Sequence, residues 1–162
     1  MAATHHFYES NGVGEVEEAD ISNINFGSDD SPNLDTTTYP ITRGNASFEK
    51  YIRCLFTGSW TEISNMKFWK SAGAYVEGES CKAAANVVYA QPSDTPNEDD
   101  DVPVEEGTAL VIKSAEGEDV IEYRASGVSG YTGYIRLQLH TTGSTPAGAV
   151  NQKTFTFQYD EI

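Results

Sequence analysis

Histidines, cysteines and carboxylates are the side chains here that could do chemistry, and their spacing offers little of it. Three histidines occur, His5, His6 and His140. His5 and His6 lack a third and fourth ligand at the spacing zinc takes, so they read as solvated side chains. His140 falls on the polar side of an alternating segment. No Ser or Cys stands beside a base, and no catalytic residue is expected, although triads can assemble from distant positions. Cys54 and Cys81 are too few for a disulfide framework and are expected as free thiols, Cys54 as a small core residue. Gly127, Gly130 and Gly133 do not make a dinucleotide fingerprint, because a strand pattern follows them and not a helix. The run from Asp94 to Glu106 carries seven carboxylates and two prolines. Its Asn97, Asp99 and Asp101 lack the glycine and the distal glutamate of a calcium loop, so it is read as a solvated loop, with calcium as the alternative. No cofactor and no metal is expected, and the chain is not expected to be an enzyme.

The charge narrows the field further. A formal net charge of −15 and a pI of about 4.3 repel phosphate backbones and anionic lipid surfaces, so neither nucleic acid nor membrane is expected as a partner. No run approaches the ~20 apolar residues that span a bilayer. The first residues lack the basic stretch and apolar core of a secretory signal, so the expectation is synthesis in a cytoplasm, with any exit inside a larger particle or by lysis. Leu, Ile, Val and Phe make up about 20% of the 162 residues, near the border of disorder. The 9 Tyr and 2 Trp argue for a folded domain, because aromatic side chains bury large areas.

The elements that would position these groups read as short strands between turn clusters. Residues 1–19, with Phe7 and Tyr8 followed by Glu15, Glu17 and Glu18, are expected to form an extended arm, free or bound to a partner. The remaining 20–162 are expected to form one β-sandwich domain. Ile21 to Phe26 is a candidate strand, and Thr36 to Ile41 is expected to be extended. Phe48 to Phe56 and Trp60 to Trp69, separated by Gly58 and Ser59, predict a hairpin of two central strands. Residues 82–89 are ambiguous between helix and strand, and the strand is chosen for Val87, Val88 and Tyr89. Four more strands are expected at 109–112, 119–124, 134–140 and 154–159. The last two alternate most cleanly, with Ile135, Leu137 and Leu139 on one face and Phe155, Phe157 and Tyr159 on another. The sum is an all-β fold, an antiparallel two-sheet sandwich of jelly-roll or immunoglobulin-like connection.

Three groups of segments carry a resemblance. They are Asn25-Phe26-Gly27 with Tyr39-Pro40-Ile41, then Phe48-Glu49-Lys50-Tyr51 through Ile63 to Trp69, and Val150 to Tyr159. Together, over residues 21–162, they resemble small structural proteins encoded among the head genes of tailed bacteriophages and prophages. The resemblance implies a virion protein, first of all a head decoration (cement) protein. Such a protein sits on the outer surface of the shell, bound to the major capsid protein, commonly as a homo-oligomer, with a trimer favoured. A tail or neck component is the alternative within that class. From another class, Trp60, Trp69, Tyr131 and Tyr134 would suit a carbohydrate-binding module. For the virion reading the candidate partner-binding residues are Phe7, Tyr8, Glu15, Glu17 and Glu18. Deletion of the arm is then expected to leave a folded protein that no longer binds shells.

Overall fold

The computed structural model describes residues 3–123, 130–148 and 151–162. Ten strands are described, in the order β1 (Thr4–Asn11), β2 (Val16–Glu18), β3 (Lys50–Thr57), β4 (Glu62–Ala72), β5 (Ser80–Val87), β6 (Asp100–Asp101), β7 (Leu110–Val111), β8 (Ile121–Glu122), β9 (Tyr134–His140) and β10 (Thr154–Glu161). They form two antiparallel sheets. One has six strands in the order β2-β1-β3-β9-β5-β6; the other is built on β4, flanked by β10 on one side and by β7 and β8 on the other. The expected two-sheet all-β sandwich is the observed architecture.

Alternation explains why the sheets face each other. On β3, Ile52, Cys54 and Phe56 point inward; on β9, Ile135, Leu137 and Leu139 do, as expected. From the second sheet come Ile63, Met66 and Phe68 of β4, with Phe155, Phe157 and Tyr159 of β10 packed at the side. The step of three from Ile63 to Met66 breaks a period of two. Asn65 (φ 50°) absorbs it as a bulge, and Tyr159 of β10 faces the resulting pair of residues.

Four expectations need correction. First, β3 and β4 are not a hairpin. Both edges of β3 are already occupied, by β1 and β9, so after Gly58 (φ 96°) the chain crosses to the opposite sheet. Second, the expected arm over 1–19 is, in its described residues 3–19, part of the sandwich and does not extend outside it. β1 pairs with β3 from Thr4 opposite Thr57 to Ser10 opposite Tyr51, and β2 folds back onto β1. The alternation was hidden because an inward position on β1 holds Glu9 where an apolar residue would be expected. Third, Ile21 to Phe26 is no strand: Ile21 N–H bonds Phe7 C=O, and beyond it the segment packs Ile24 and Phe26 on the core without joining a ladder. Fourth, Thr36 to Ile41 is bent, not extended, because Asp35 accepts from the Thr37 amide (2.9 Å) and the Thr38 hydroxyl (2.7 Å) in a side-chain-closed turn. Those two bonds hold the Asp35 carboxyl below its ordinary pKa.

A strand is present where 82–89 was read as one, but as β5 it runs Ser80–Val87 and leaves Val88 and Tyr89 beyond its end; Tyr134–His140 is a strand as read. Arg124, Gly127 and Val150, which figure in the sequence reading, lie outside the described residues.

Phe56 is 2% exposed and packs on Trp60, Phe157 and Tyr159. Phe56→Ala is expected to cost about 3–5 kcal/mol of stability in urea unfolding. Removal of residues 1–19 is expected to abolish the cooperative transition, in contrast to the expectation from sequence, because it strips one edge of β3.

Burial pushes the thiols of Cys54 and Cys81 up to about 12. A raised pKa favours the neutral form in the folded state, so this contribution is complete below the ordinary thiol value. It is lost as pH climbs from about 9 towards 12. Both thiols are expected to resist a thiol-disulfide reagent at pH 8 until the protein is unfolded; rapid reaction of the native protein would contradict this placement.

Candidate interaction surface

The outward side of the six-stranded sheet gathers aromatic and charged groups around Arg53 of β3. Its guanidinium lies 4.0 Å from the centre of the Tyr131 ring and 4.6 Å from that of Tyr134, while Nε donates to Glu17 at 2.7 Å. Tyr8 packs edge-on against Tyr131, at 5.6 Å between centroids. The Tyr134 hydroxyl donates to Glu15 (2.7 Å) and shares a 2.8 Å bond with Ser10. Burial, reinforced by Glu15, pushes the Tyr134 phenol well above its ordinary value. This cluster ties the β1–β2 hairpin to β3 and β9 through side chains as well as through the ladder.

A second tie lies beneath the hairpin. Glu9 and Lys50 are both fully buried, with Nζ 2.8 Å from the Glu9 carboxylate. Lys50 also donates to the Ser31 carbonyl at 2.8 Å, and Asn11 bridges Glu9 (3.0 Å) to Asp30 (2.9 Å). The Gly12 amide donates to Asp30 in turn. The second Glu9 oxygen has no hydrogen-bond partner, so Lys50 is its main compensation. Sequence reasoning missed this pair; its only signal is that each residue occupies an inward register on its strand.

These ties decide what the hairpin can present. Of the expected partner-binding residues, Tyr8, Glu15 and Glu17 come together around Arg53 and Tyr134 and are engaged within the chain. Phe7 points the other way, into the sandwich, 5.6 Å from the Phe157 ring. Glu18 is exposed on the short edge strand β2. The hairpin instead exposes two residues the sequence reading passed over, Val13 (83%) and Val16 (69%). The hydroxyl of Tyr89 donates to the Gly12 carbonyl at 2.6 Å and ties the turn of the hairpin to the segment that follows β5.

The other candidates are dispersed. Trp60 packs on Phe56 and Tyr123 and donates to the Ile121 carbonyl. Trp69 lies on β4, and Tyr131 and Tyr134 lie on the opposite sheet, so the four do not form one sugar-binding platform. His6 contacts Asp20 at 2.5 Å, and His5 packs between Phe7 and Tyr159. His140 contacts Gln138 at 2.7 Å, and burial lowers its pKa. Among the described residues no cluster of His, Cys, Asp or Glu is placed to hold a metal.

The acidic run is largely exposed, as expected of a solvated loop, and is tied down at a few points. Asp99 grips Arg136 (2.8 and 2.5 Å), Asp101 pairs with Lys82 (2.9 Å), and Val102 is buried. The cations of β5 and β9 draw it down as the edge strand β6.

Between the sheets lies a cleft of about 1050 Å³, bordered by Phe7, Ile24, Phe26, Phe68, Phe155 and Phe157. No helix among the described residues is long and apolar enough to cross a membrane. No protein-family model, curated protein or solved structure matches the chain.

Breaking the buried pair from one side leaves an uncompensated charge, whereas removing both members does not. Lys50→Met is therefore expected to destabilise by about 3–5 kcal/mol, with the double change Glu9→Met with Lys50→Met recovering most of it. A double variant as unstable as the single one would show that the pair is not the relevant interaction.

Proposed function

We propose that this chain is a virion structural protein of a tailed bacteriophage or prophage, a head decoration protein that attaches to the major capsid protein on the outer shell surface. One observation carries the reading: the β1–β2 hairpin is locked to the sandwich on both faces while its tip turns Val13 and Val16 outward. Exposed apolar residues held on a rigid frame suit docking, since little ordering entropy is lost on contact. The acidic surface suits a protein that must not adhere to free nucleic acid. Each contact is small, and repetition of identical sites over a shell, or through a trimer, supplies the avidity.

The test is sedimentation with shells of the major capsid protein encoded alongside this chain. The intact chain is expected to co-sediment to saturation. Val13→Asp with Val16→Asp is expected to remain in the supernatant with an unchanged circular dichroism spectrum. An intact chain that stays in the supernatant, or a double variant that binds as well as the intact chain, would overturn the proposal.

A further inference from the structure

The cleft between the sheets is bounded by core side chains such as Ile52, Phe68 and Leu139 and by Phe7 of β1. Two sheets packed face to face normally interdigitate their side chains across ~10 Å and leave few voids. Here the segment from Ile21 to Phe26 spans the opening without pairing to a strand, and a volume of about 1050 Å³ stays open behind it. The apolar part of the cleft lining includes Phe26 and Ile41, Phe155 and Phe157 of β10, and the core residues Ile52 and Phe68. The size stands at the top of the ~300–1,000 Å³ range of small-molecule sites. The lining is mixed, with Asn23, Asn25 and Thr36 beside the apolar side chains, and an alkyl chain gains by displacing water from the apolar part.

The charges on the lining define the other end of the ligand. Glu79 and Lys153 face each other at 2.5 Å, both largely buried, and neutralise one another. The remaining charged group is Arg43, which is exposed and, among the described residues, makes no ion pair or hydrogen bond. A free guanidinium on the border of an apolar cleft, in a chain of formal charge −15, leaves one uncompensated positive charge where a carboxylate can be held by two parallel hydrogen bonds.

We propose that the cleft binds a long-chain carboxylate, its alkyl chain lying between the Ile21–Phe26 segment and β10 and its head group on Arg43. The proposal does not rest on the virion reading.

Titration calorimetry of the full chain with palmitate, below its micelle concentration, tests the assignment. Saturable one-to-one binding is expected, with no binding of acetate, which offers the head alone. Hexadecyltrimethylammonium, which has the same chain and the opposite charge, is expected to bind at least about tenfold more weakly in spite of the acidic surface. Arg43→Glu, on an exposed loop, is expected to weaken palmitate by about tenfold or more while thermal unfolding is unchanged. Ile24→Trp, which fills the cleft from its outer wall, is expected to abolish binding. Absence of saturable binding, equal affinity of the cationic amphiphile, or indifference to Arg43→Glu would each overturn the proposal. So would a dimer that Ile24→Trp dissociates, because the occupant would then be a second copy of the chain.

Discussion

The structure turns on one buried contact, between Glu9 of β1 and Lys50 of β3. Each ion loses its hydration, a cost of several kcal/mol per charge, and recovers it only while the other is in place. The pair therefore acts as a register pin. Lys50 also reaches the Ser31 carbonyl, and Asn11 links Glu9 to Asp30, so the same contact draws the loop around residues 28–33 over the end of the sandwich. With β1 fixed, β3 has neighbours on both edges. The next strand must then start a second sheet, and the two-layer form follows.

On the outer side, the same registration lines up Tyr8, Arg53 and Tyr134. Their contacts absorb Glu15 and Glu17 and leave the tip valines as the hairpin's free surface. An acidic chain thus spends several of its carboxylates on its few cations: Glu9 on Lys50, Glu17 on Arg53, Glu79 on Lys153, Asp99 on Arg136. Among the described residues Arg43 has no such carboxylate, and it borders the cleft.

Much of the sandwich was legible in the sequence where period-two patterns were clean, as in β9 and β10, whose inward residues were all identified. The same rule failed where a charge occupies an inward position: Phe7 followed by Glu9 does not look like a strand face until Lys50 is placed opposite. Local sequence was equally insufficient for the two Ile-Ser-Asn segments. Residues 63–68 lie in β4, between β10 and the short strands β7 and β8, whereas residues 21–26 find no edge and remain a strap. The acidic run reads from composition as solvated, as most of its carboxylates are, but only the sheet shows that Asp99 and Asp101 meet Arg136 and Lys82. Of the candidate site, the segment was legible but the roles were not. Which side chains of the hairpin face outward depends on a register that long-range pairing sets. The cleft had no signature in the sequence, because its walls come from segments more than a hundred residues apart.

Native-state hydrogen exchange can establish whether residues 4–11 are an integral strand held by the buried ion pair. The ladder amides of β1 are expected to exchange with the same high protection as those of β3 and β9, through a common unfolding event. Exchange of β1 amides at the rate of an unstructured peptide, with β3 and β9 still protected, would contradict it.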